Sequence, residues 1–91
     1  MTAKIELPPK IDHAAIVHLM EQLKSHDGTP VRVNAAESKG IGGLASQVIL
    51  AAKRKWQNED TSFEFSTSEA VEADLMRLGL LDEFKPKEQG E

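Results

Sequence analysis

Three short stretches of alternating hydrophobicity, at Ile5 and Leu7, at Val31-Arg32-Val33 and at Phe63-Glu64-Phe65, are each followed by a segment whose apolar residues recur at helical spacing. Alternation is the period-two signature of a half-buried strand, and recurrence at i, i+3, i+4 and i+7 that of an amphipathic helix. The order strand, helix, strand, helix, strand, helix implies parallel strands joined by right-handed crossovers. Strands covered on both faces read as continuous apolar runs; these alternate, so the helices are expected on one face only. The predicted fold is a two-layer α/β domain, a small, mostly parallel β-sheet with helices packed on one face. Arg32 and Glu64 then share the uncovered face and pair across neighbouring strands, a surface contact contributing roughly 0 to 1 kcal/mol.

Local signals set the element ends. Pro8-Pro9 removes two backbone donors and closes the first strand. Asp12 is an N-cap, with Ile11 and Ile16 placed as a hydrophobic staple. Ile16, Leu19, Met20 and Leu23 form the apolar stripe of a helix that ends near Asp27-Gly28. The second helix is expected over about residues 44–56. It carries two stripes, Leu44, Val48 and Ala51 beside Ala45, Ile49, Ala52 and Trp56. Either the whole arc packs on the sheet or part of it faces a partner. Ser66 with Glu69 reads as a capping box, Val71, Leu75 and Leu78 as the buried stripe of a third helix, and Gly79 as its stop. One domain is expected over residues 1–84, followed by a polar tail at 85–91 that frays.

Composition narrows the function classes. The chain has 91 residues, with 11 basic against 15 acidic side chains, a formal charge of −4. A chain this short supports one core and no large catalytic apparatus. Without cysteine there is no disulfide framework, thiolate metal site or thiol nucleophile. The first ten residues lack the apolar core of a signal peptide, and no run of about 18 apolar residues offers a membrane span, so a cytoplasmic protein is expected. The acidic balance, with one basic cluster at Lys53-Arg54-Lys55, argues against nucleic acid and for protein partners.

No constellation for catalysis stands out. Ser38-Lys39-Gly40-Ile41-Gly42-Gly43 lies between a strand and a helix, where phosphate loops sit, but no Gly-Lys-Ser/Thr follows the glycines. The bland reading is a turn that needs positive φ or close backbone approach. His13 and His18 are five residues apart, a rotation of about 140° that prevents sharing a metal as an i, i+4 pair would; His26 falls near the helix end. Glu69, Glu72 and Asp74 are expected at caps and on solvated faces, and no serine stands in a nucleophile elbow. The expectation is therefore no catalytic residue, no cofactor and no metal.

The segments Val31-Arg32-Val33-Asn34, Ile41-Gly42-Gly43-Leu44, Gln47-Val48-Ile49-Leu50-Ala51-Ala52-Lys53 and Phe63-Glu64-Phe65-Ser66 occur in that order. With the ending Leu75-Met76-Arg77-Leu78-Gly79-Leu80-Leu81-Asp82-Glu83-Phe84, they resemble the STAS family, the domains of sulphate transporters and anti-sigma-factor antagonists. In that family a strand ending in an acidic residue leads to an Asp-Ser-Ser-Gly-like motif opening a helix. Counted from Asn34, those positions hold Gly42, Gly43, Leu44 and Ala45, so Leu44 stands where partner kinases phosphorylate a serine. Ser38 and Ser46 are the nearby hydroxyls that could accept phosphate instead, whose charge of about −1.5 to −2 is a natural switch at a helix start.

The stretch from Gln47 to Trp56 is similar to short, stand-alone STAS proteins associated with bacterial chemotaxis. The resemblance implies a non-enzymatic module that binds a chemotaxis histidine kinase and modulates phosphotransfer. It also implies two alternatives, an anti-sigma-factor antagonist and an accessory STAS subunit of a lipid-transport ATPase. The predicted partner-binding residues are Gly40, Ile41, Gly42, Gly43, Leu44, Gln47 and Val48, with Leu44 as anchor. The competing reading places Leu44 and Val48 in the core.

Overall fold

In the computed structural model, which describes residues 2–84, three strands form one sheet. They are β1 (Ala3–Glu6), β2 (Val31–Ala35) and β3 (Phe63–Thr67), in the order β1-β2-β3 and parallel throughout. The register sets Ile5 beside Val33 and Val33 beside Phe65, and sets Lys4 beside Arg32 and Arg32 beside Glu64. Because side chains alternate across a strand, the first row faces the helices and the second faces out. Ile5, Val31, Val33 and Ala35 are fully buried, while Lys4, Arg32 and Glu64 are exposed. On the open face Arg32 Nε meets Glu64 Oε1 at 2.8 Å, as the alternation predicts, and Asn34 Nδ2 donates to Glu6 Oε1 at 2.9 Å.

The layer above the sheet consists of α1 (His13–Ser25), α2 (Gly43–Asn58), α3 (Glu69–Arg77) and the single turn α4 (Leu81–Phe84). Asp12 caps α1 by accepting the Ala15 N–H at 2.9 Å, and Ile11 packs on the core beside it. Ile16, Leu19 and Leu23 are buried, but Met20 is exposed, so the stripe is narrower than its spacing predicts. Leu78 is likewise exposed, because α3 ends at Arg77 and the chain turns away at Gly79, whose φ is +74°. Gly28, at φ +82°, closes the turn after α1 in the same left-handed conformation.

Ser66 does not cap α3. It pairs with Asn34 inside β3, and the cap is Ser68, whose Oγ accepts the Val71 N–H at 3.1 Å. Continued pairing with β2 through Thr67 outweighs a local capping signal two residues earlier. Trp56, near the end of α2, is buried; its indole N–H donates to the Thr29 carbonyl at 2.7 Å and its ring meets Phe63 edge-on at 5.9 Å. Among the described residues no helix is long and apolar enough to cross a membrane. The tail expected to fray, residues 85–91, lies outside the described residues.

Candidate functional site

The loop between β2 and α2, residues 36–42, is fastened on two sides. Asn34 Oδ1 accepts the Ala36 N–H at 2.9 Å, starting the turn out of β2. On one side Ser38 Oγ donates to the Pro8 carbonyl and the Lys39 N–H donates to the Pro9 carbonyl, both at 2.8 Å. On the other, Ser68 Oγ donates to the Ser38 carbonyl at 2.6 Å. The Ile41 N–H donates to Asp74 Oδ2 at 2.7 Å, and the same carboxylate is ion-paired with Arg77 one turn along α3.

This geometry accounts for the glycine run. A Cβ on Gly40 would stand 2.7 Å from Asp74 Oδ2 and displace that carboxylate, so close approach, not positive φ, favours glycine there. A Cβ at Gly42 or Gly43 would meet nothing within 4 Å. The Asp74 side chain is only 20% exposed and faces the loop, not solvent as its helical position predicts. Sequence reasoning missed it: Asp74 and Ile41 are 33 residues apart, and only the i, i+3 spacing to Arg77 marks it.

The predicted partner-binding residues divide. Gly42, Gly43, Leu44 and Gln47 are exposed, Leu44 by 59%, and Gly40 is half-buried. Ile41 is only 4% exposed and belongs to the core, so it is unavailable to a partner; the Asp74 clamp on its N–H turns it inward. Val48 is half-buried and packs against the core from outside. Of the two stripes on α2, Ala45, Ile49, Ala52 and Trp56 pack inward, and the one begun by Leu44 looks outward.

That outward stripe borders α1. Lys55 on α2 pairs with Asp27 beyond the end of α1 at 2.8 Å, and Ala51 and Lys55 share a cleft of about 200 Å³ with Leu23 and Lys24. Helical periodicity places Leu44, Val48 and Ala51 on the same side of α2. Hydrogen bonds from Lys55 to Asp27 and then to Glu59 hold its ammonium above the ordinary lysine value of 10.5.

Neither candidate phosphoacceptor presents a free hydroxyl. Ser46 is 0% exposed and donates to the Gly42 carbonyl at 2.8 Å, while Ser38 is 2% exposed and donates to Pro8. Both hydroxyls that could accept phosphate are therefore buried and bonded to backbone carbonyls inside the fold. His13 and His18 are exposed on α1, and His26 caps the end of that helix with its backbone. Among the described residues no group of three or more histidines, aspartates or glutamates is placed to hold a metal ion. Comparisons with protein families, with curated proteins and with solved structures return no match to this chain.

Proposed function

We propose that this domain is a non-enzymatic, STAS-like protein-interaction module of the cytoplasm, which docks on a chemotaxis histidine kinase and modulates its phosphotransfer. The observation that carries the reading is Leu44, a large apolar side chain 59% exposed on the first turn of α2, between exposed Gly42, Gly43 and Gln47. Burying a leucine gains roughly 1.5–3 kcal/mol, enough for one anchor of a docking surface. The loop that presents it is tied to Pro8, Pro9 and Asp74, so little ordering entropy is lost on binding. The kinase as partner rests on the motif order from Val31 to Phe84 and on the Gln47 to Trp56 stretch.

The test is capture of partners by the tagged chain from its native cell extract, beside Leu44→Asp, with bound proteins identified by mass spectrometry. A chemotaxis histidine kinase is expected with the wild type and lost with Leu44→Asp. The variant is expected to stay folded because the site is open and an acidic group suits a helix start. Specific capture of a transporter ATPase or a serine kinase overturns the assigned pathway, and failure of the wild type to capture any of these overturns the docking role.

A further inference from the structure

Two open hollows flank one strap of chain. The strap is built from two segments running side by side, Glu6-Leu7-Pro8-Pro9-Lys10 and Glu37-Ser38-Lys39, joined by the bonds from Ser38 to Pro8 and from Lys39 to Pro9. Since 38 bonds to 8 and 39 to 9, both segments pass from acidic to basic in the same direction. The hollow at the acidic end, about 410 Å³, is rimmed by Glu6 and Glu37 over Leu7, Ala15 and Leu19. The hollow at the basic end, about 460 Å³, is rimmed by Lys10 and Lys39 over Ile11 and Gly40. Pro9 lines both, and Glu6, Pro8, Pro9, Lys10, Glu37 and Lys39 are all exposed.

Three of these four charges, Lys10, Glu37 and Lys39, are not used within the fold. Arg32, Arg54, Lys55 and Arg77 are in ion pairs, and Lys53 donates to the Glu83 carbonyl. Among the described residues Lys10, Lys39 and Glu37 have no side-chain partner, and Glu6 takes only the amide of Asn34. Other ionisable groups border the strap: His18 lies by the acidic hollow, Asp12 is occupied in capping α1, and Asp74 beside Gly40 is matched by Arg77.

We propose that the strap is an isologous contact for a second copy of this chain. A two-fold axis at Pro9 reverses one strap on the other, so that Glu6 and Glu37 of each copy meet Lys10 and Lys39 of its partner, with the prolines packed at the centre. A patch carrying both signs in this order is self-complementary, which is what a two-fold interface requires. Two prolines and two hydrogen bonds fix the strap before contact, so association orders little. Exposed ion pairs are individually weak, so the dimer is reversible and fills at high protein concentration. The basic hollow shares Gly40 and Gly42 with the proposed kinase-docking surface, but Leu44, the anchor of that surface, does not line it.

Sedimentation equilibrium of the full chain over a wide concentration series tests it. The wild type is expected to rise from 10.0 kDa toward twice that mass. Lys10→Glu/Lys39→Glu and Glu6→Lys/Glu37→Lys are each expected to stay monomeric, and their equimolar mixture to recover the wild-type rise. Because Glu6 also holds Asn34, Glu37→Lys alone is measured beside the double variant. Lys24→Glu/Arg54→Glu, which lowers net charge by the same amount as Lys10→Glu/Lys39→Glu but away from the strap, is expected to associate like the wild type. A wild type monomeric at every concentration overturns the proposal. So does a mixture that stays monomeric, or a charge-reversed strap that associates unchanged.

Discussion

Asp74 Oδ2 accepts the backbone N–H of Ile41 at 2.7 Å, and this bond between α3 and the loop before α2 decides which residues of the candidate surface point outward. It holds Ile41 in the core and leaves Leu44, three residues on, at the surface. Replacing Asp74 by Ala leaves a buried N–H without a partner, which costs roughly 1–3 kcal/mol. Each kcal/mol lowers Tm by about 4–8 °C in a domain of this size. Asp74→Asn, which keeps an acceptor, is expected to lose less. Thermal unfolding followed by Trp56 fluorescence measures both, and equal loss in the two variants would show that the bond to Ile41 is not what matters.

The same contact separates Gly40 in the loop from Gly43 at the start of α2. Gly40→Ala drives a Cβ to 2.7 Å from Asp74 Oδ2 and displaces the carboxylate, so it is expected to cost about as much as Asp74→Ala, roughly 1–3 kcal/mol. Because both substitutions break one interaction, the double variant should fall well short of the sum. Gly43→Ala meets no neighbour and replaces glycine in the first turn of α2, so a gain of up to about 1 kcal/mol is expected. Chemical denaturation of the four variants checks the pattern, and Gly40→Ala as stable as Gly43→Ala would contradict it.

How much of this was legible beforehand follows from the range of each interaction. The strands and the Arg32–Glu64 pair follow from alternation, which records which face is covered, and the parallel order follows from the helix between each strand and the next. The Asp12 cap is a contact between residues three apart, and local sequence carries it. The misplaced cap at Ser66 and the wrongly solvated Asp74 share a different cause. In both, a residue far along the chain, Asn34 or Ile41, supplies the partner, and no local pattern encodes a separation of about thirty residues. The candidate surface fell between these cases. The wide apolar arc of α2 was readable, but which stripe faced out depended on how the helix sits over the sheet and beside α1.

Ser46 gives a test of whether modification can act at this helix. Its hydroxyl is fully buried and bonded to the Gly42 carbonyl, which also accepts the Ser46 N–H at 3.0 Å. Ser46→Ala therefore leaves that carbonyl satisfied and is expected to change stability by no more than about 1 kcal/mol. Ser46→Asp puts a charge at a fully buried position, at a cost on the order of 3 kcal/mol or more. A phosphomimetic that folds as stably as the wild type would return Ser46 to the list of candidate switches.

Lys55 carries a pH dependence whose sign can be worked out. Its ammonium donates to Asp27 at 2.8 Å and to Glu59 at 2.6 Å, and those bonds raise its folded pKa above 10.5. A group whose pKa is higher in the folded state binds its proton more tightly there, so its stabilising effect is fully present below the unfolded value. It is lost as pH rises through the raised folded value. The Tm difference between the wild type and Lys55→Gln should accordingly be constant from neutral pH to about 10 and narrow above 10.5. The site is exposed, so high salt should shrink the difference at every pH by screening both pairs. Tm profiles of the two proteins across that range decide the matter: a difference that persists unchanged through the alkaline limb would mean that Lys55 acts through its aliphatic stem and not through its charge.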